Sequence, residues 1–106
     1  MRIEQGHQLS LDEAMGRVDQ FLDGLAQQTL PGGLTIKDPL KVWEGNRMTF
    51  SFTAAKDAFG LTIRGAVEVT DQHALVETDL PALVKTFIGE DRIKDLVSRE
   101  LGKVLA

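Results

Sequence analysis

Two stretches decide the fold: Arg47-Met48-Thr49-Phe50-Ser51-Phe52-Thr53 and, after a turn, Leu61-Thr62-Ile63-Arg64-Gly65-Ala66-Val67-Glu68-Val69-Thr70. In each, the large apolar residues fall on every second position and polar residues fill the gaps. A period of two places alternate side chains on opposite faces of a strand. Met48, Phe50 and Phe52 then share a face, as do Leu61, Ile63, Gly65, Val67 and Val69. Two successive strands with one apolar and one polar side read as an antiparallel sheet covered on one face and wet on the other. Upstream, Glu44, Gly45 and Asn46 form a tight turn after a strand from Leu40 to Trp43. Leu34 and Ile36 belong to a short strand that Asp38 and Pro39 interrupt or push to an edge. Ala55 to Gly60 is a turn region that includes Phe59. Asp71 and Gln72 turn into a further strand from His73 to Thr78.

This meander is flanked by helices. Residues 2 to 9 alternate as a half-buried strand, with Ile3, Gln5, His7 and Leu9 on one face. Ser10 and Glu13 form a capping box, and Asp12 and Glu13 suit the positive end of a helix. Leu11, Ala14, Met15, Val18, Phe21, Leu22 and Leu25 recur at helical spacing, which predicts a helix over residues 11–28. Asp79, as an N-cap, and Pro81 start a second helical region. Its apolar stripe jumps in phase by roughly 130° at Gly89, Glu90 and Asp91. That jump predicts a break or sharp kink at Gly89; the alternative is one helix whose halves bury against different surfaces. The reading is a single α+β domain over residues 1–106, in the order β-α-β-β-β-β-α. An antiparallel sheet is covered on one face by an N-terminal and a C-terminal helix.

With 106 residues, the chain should bury roughly 65% of the surface its unfolded form exposes, enough for a core without staples. It has no cysteine, which excludes disulfide scaffolds, thiolate zinc sites and cysteine nucleophiles. The net charge is −4, and the basic residues of the C-terminal region are interleaved with Glu90, Asp91, Asp95 and Glu100, so nucleic-acid binding is not expected. No segment reaches the roughly 20 apolar residues of a spanning helix, and no apolar signal region follows Arg2. A cytoplasmic location is the expectation.

Few residues offer chemistry. His7 shares a face with Ile3 and Leu9 just before the helix cap, where it could pass a proton or simply hydrogen-bond to backbone. Neither His7 nor His73 has a second ligand at metal spacing, so no metal is expected. Pro31-Gly32-Gly33 lacks the lysine and the helix opening of a phosphate loop. Ser51 and Ser98 lack a nucleophile-elbow context. With no constellation for catalysis, no enzyme activity and no cofactor are expected. Trp43, Phe50, Phe52, Phe59 and Phe87 remain as core or as an apolar contact surface. Packing in the core is the first reading for the set; the alternative is that Trp43, out of phase with Leu40 and Val42, or Phe59, or both, lie exposed at the sheet's edge. An apolar side from Ile93 to Leu105 offers a homodimer contact if the helix does not break.

Several of these residues together resemble a known pattern: His7-Gln8-Leu9-Ser10 at the first strand end, Ala14 and Val18, Trp43-Glu44-Gly45-Asn46 with Met48 and Phe50, Gly65 with Val67 and Val69, and Leu80-Pro81 before a helix closing with Leu101 and Leu105. The combination resembles the polyhydroxyalkanoic acid system family, small bacterial proteins found beside genes for polyhydroxyalkanoate synthesis and granule proteins. The longer, proline-containing stretch from Leu30 to Lys41 departs from that pattern. The resemblance implies an accessory role with storage granules or granule proteins as partners, and implies no catalytic residues. Element order is also similar to a reduced helix-grip, START-like domain, which would place a small apolar ligand between helix and sheet. From the reading of His7 and the aromatic set above, His7, Trp43, Phe50, Phe52 and Phe87 are the expected ligand-binding residues.

Overall fold

The computed structural model describes residues 1–27, 29–30, 33–82, 85–86 and 89–106. The elements are β1 (Arg2–Gly6), α1 (Leu11–Leu25), β2 (Thr29–Leu30), β3 (Leu34–Glu44), β4 (Arg47–Lys56), β5 (Phe59–Val69), β6 (His73–Asp79) and α2 (Glu90–Val104). The described strands join one antiparallel sheet in the order β1-β6-β5-β4-β3-β2, with α1 and α2 on one face. This is the expected α+β arrangement, with β2 as a two-residue addition.

The two deciding stretches pair with each other. Met48 lies opposite Val67, Phe50 opposite Gly65 and Phe52 opposite Ile63, so their apolar sides form the covered face. Thr78, Val76 and Ala74 of β6 continue it, followed by Ile3 of β1. Met48, Val18, Val69 and Leu101 are fully buried here, where α1 and α2 meet the sheet. Leu101 and Leu105 are buried in this core and Val97 packs against it, while Ile93 packs against a second cluster of Leu34, Ala54 and Ile63.

The turn at Gly45-Asn46 connects Glu44 to Arg47; Gly45 has φ +61°, which the two-residue hairpin needs at its first central position. Gly65 is required for a different reason. Phe50's ring lies over it from the neighbouring strand, so a β-carbon there would have no room.

Four local readings are corrected. α1 ends at Leu25 rather than near residue 28, closing on a right-handed Ala26 with no glycine to carry it on into a Schellman turn. Asp79 is not a helix cap but the last residue of β6, held opposite Arg64 of β5. Phe59 opens β5 opposite Lys56 instead of lying in a loop, because the turn needs only Asp57 and Ala58. The Ser10 hydroxyl does accept the Glu13 N–H at 3.2 Å, but Glu13's carboxylate turns to Arg17 at 2.9 Å instead of reaching back. Arg17 in turn donates to the backbone oxygens of Val104 and Ala106, satisfying carbonyls that α2 leaves open at its C-terminal end. The predicted break is present: Gly89, at φ +88°, is the N-cap and α2 begins at Glu90. Leu83, Val84, Phe87 and Ile88 of the stripe before it, and Pro31-Gly32, lie outside the described residues.

Asp38 and Pro39 do not divide β3. They add one extra residue between Lys37, opposite Thr53, and Leu40, opposite Ser51. Because the side-chain period is two, one extra residue exchanges the faces of everything after it. Lys41 and Trp43, opposite Phe50 and Met48, therefore turn to the helices. Leu40 and Val42 turn to the open face, 69% and 58% exposed. Trp43 is half-buried against the core rather than exposed at the edge.

Candidate functional site

The covered face does not close completely. Between α1, α2 and the sheet lies a cavity of about 70 Å³ walled by Leu22 and Leu25 of α1, Ile93 and Leu96 of α2, and Phe50 and Phe52 of β4. The alternation of β4 points both phenylalanines inward, and their rings stack with centroids 6.2 Å apart and planes 10° from parallel. Leu22 and Leu25 are successive members of the α1 stripe, three residues apart and so on one side of the helix. Its described wall carries a single polar side chain, Thr78, whose hydroxyl already donates to the Arg64 carbonyl at 2.9 Å. Such a wall can hold an apolar group.

A second space of about 80 Å³ lies beside the first and shares Leu22, Leu25, Phe50 and Phe52 with it. It reaches out to the bulge, where Pro39, Leu40, Lys41, Asp23 and Ser51 complete the wall. Lys41 is anchored there by α1: its Nζ donates to Asp23 Oδ1 at 2.6 Å, approaches Asp19 Oδ1 to 2.9 Å and donates to the Asp19 carbonyl at 3.2 Å. Trp43 Nε1 donates to Asp19 Oδ1 at 2.9 Å. That indole bond, helped by Lys41 against the cost of burial, holds Asp19 below the usual carboxylate range. Burial pulls Lys41 down, yet the carboxylates of Asp23 and Asp19 outweigh it and raise the ammonium above its ordinary value.

The five residues expected at a ligand site therefore separate. Phe50 and Phe52 stand side by side in the cavity wall. Trp43 faces the helices but is engaged with Asp19. His7 is elsewhere, at the corner between β1 and α1. Its Nδ1 accepts the Leu9 N–H at 3.0 Å, which leaves Nε2 protonated and donating to the Thr70 carbonyl at 2.8 Å. Both ring nitrogens are thus used by backbone. Phe87 lies outside the described residues. The Asp19–Lys41–Asp23 cluster had no signal in the sequence beyond a lysine on the helix-facing side of β3.

No helix among the described residues is long and apolar enough to cross a membrane. No curated protein and no solved structure matches the chain. A family model does match, over residues 1–105, which covers the first strand, the bulged β3, both cavity-lining helices and the phenylalanine pair: the chain belongs to the family described as "Putative polyhydroxyalkanoic acid system protein".

Proposed function

We propose that this chain is a non-enzymatic accessory protein of polyhydroxyalkanoate metabolism, working at the storage granule, and that it binds a short hydroxyacyl-type chain between its helices and sheet. The observation that carries this reading is the cavity under Phe50 and Phe52: apolar on nearly all of its described wall and without a free titratable group. Its size sets the ligand. About 70 Å³ is well below the roughly 300–1,000 Å³ of sites for drug-sized molecules, so a short chain fits and a long-chain lipid does not. The test is titration with 3-hydroxybutyrate and 3-hydroxyhexanoate, each as the acid and as its methyl ester, followed through the amide signals of Phe50, Phe52 and Ile63. Saturable shifts confined to that region are expected with at least one compound; flat signals with all four reject the reading.

A second reading rests on Leu40 and Val42, adjacent on the open face of β3 and mostly exposed. They suit contact with a granule surface or a granule protein. If so, changing both to Asp moves the protein out of the granule fraction of polymer-containing cells without changing its melting temperature.

A further inference from the structure

The outer space beside Lys41 bears on which ligand the inner cavity takes, given the cavity-binding reading above. The two spaces share four wall residues, so the head of a chain lying under Phe50 and Phe52 emerges beside Asp23 and Lys41. Those groups are not equivalent. Lys41 has three N–H bonds, and the structure gives it three acceptors: the carboxylates of Asp19 and Asp23 and the Asp19 carbonyl. It has no donor left for a ligand. One ammonium and two carboxylates also leave the cluster with a charge of about −1 at neutral pH. An arriving carboxylate would meet like charge at short range in a partly desolvated place, where such repulsion is several times stronger than in water. A neutral ester brings no such charge to the wall.

We infer that the site selects a neutral, esterified hydroxyacyl chain and rejects the free hydroxy acid, with the Asp19–Lys41–Asp23 cluster at its mouth as the selecting element. The carboxylates keep free acids out, while an ester brings no charge to oppose them. In this arrangement Asp23 is the adjustable part. Its side chain is 62% exposed, so it can be neutralised with little effect on the fold, whereas Asp19 also holds Trp43.

The experiment compares methyl 3-hydroxyhexanoate with sodium 3-hydroxyhexanoate on the whole protein and on Asp23→Asn, at neutral pH and low salt, by the same amide shifts. The ester is expected to bind at least about tenfold more tightly than the acid, and Asp23→Asn to narrow that ratio by about threefold or more, mainly by tighter binding of the acid. Equal or tighter binding of the acid to the unmodified protein overturns the selection while leaving the cavity reading intact. A ratio that Asp23→Asn leaves unchanged overturns the role of the cluster. Absence of binding by either compound overturns both this inference and the reading on which it rests.

Discussion

Replacing Gly65 by alanine tests the packing of the covered face at its tightest point. A β-carbon built there would sit 2.5 Å from Phe50 Cζ, 2.6 Å from the backbone oxygen of Glu77 and 2.9 Å from Thr78 Cβ. Comfortable contact between such atoms is about 3.5–4.0 Å, so the overlap is roughly 1 Å on three sides. Phe50 can swing its ring, but the Glu77 oxygen belongs to the backbone of β6, which pairs with β5 and β1, and cannot give way alone. Overpacking of this kind costs about 1–3 kcal/mol. At about 4–8 °C per kcal/mol for a domain near this size, the melting temperature should fall by roughly 5–20 °C. Gly16 provides the contrast: it lies in α1 with nothing within 4 Å of an added β-carbon, so Gly16→Ala should be neutral or gain up to about 1 kcal/mol through helix propensity. Thermal and urea unfolding followed by far-UV circular dichroism measure both. Because Phe50 also walls the cavity, Gly65→Ala should weaken ligand shifts at Phe50 and Phe52 as well. A Gly65→Ala protein as stable as the parent would refute the placement of Phe50 over Gly65, and with it the description of the cavity wall.

Asp19 gives a pH dependence whose sign follows from its depressed folded value. Its contribution is complete above the ordinary carboxylate value of about pH 4 and is lost as pH falls through the lower folded value. Asp19→Asn should therefore cost stability at pH 7 and progressively less towards acid, and urea midpoints at several pH values would show a parallel offset instead if the reasoning fails. Trp43→Phe keeps the ring but removes the bond to Asp19. It should cost about 1 kcal/mol and let the Asp19 carboxyl titrate closer to its ordinary value, which ¹³C NMR reads directly. Asp38 sits at φ +52° in the bulge, a conformation that Asp tolerates and β-branched residues do not. Asp38→Gly should be within about 1 kcal/mol of the parent, while Asp38→Val should lose about 1–2 kcal/mol; equal melting temperatures for the two variants would exclude a left-handed residue there.

Much of the architecture was legible because its signals are local. The alternation in 47–53 and 61–69, the Gly45-Asn46 turn, the Ser10 cap and the phase jump at Gly89 each depend on residues a few positions apart, and each appears in the structure. What escaped depends on partners far along the chain. Asp79 has the composition of a helix cap, but pairing with Arg64 claims it for β6. Trp43 was visibly out of phase with Leu40 and Val42; deciding which of them faces inward requires knowing that the Asp38-Pro39 insertion shifts the register against Thr53 and Ser51. The site divides in the same way. Phe50 and Phe52 were found by their period in β4, and the stripes of both helices were found by theirs. That these surfaces stand apart and leave a cavity is a matter of relative position, on which periodicity is silent. Asp19 and Asp23 lie 22 and 18 positions from Lys41 and look like ordinary solvated acids in α1.

The placement of β1 also constrains the order of assembly. Among the described residues its sole neighbour in the sheet is β6, and the Met1 amino group bonds to the Thr78 carbonyl, 77 positions later. On a ribosome adding about 5–20 residues per second, β1 waits about 4–15 s for its partner to be synthesised. The hairpins from β3 to β6 have no such wait, since each strand meets its neighbour as soon as both have emerged. Made before the other five strands described, β1 is thus among the last of them to be paired, and α2, which packs over β1, completes the layer only after that.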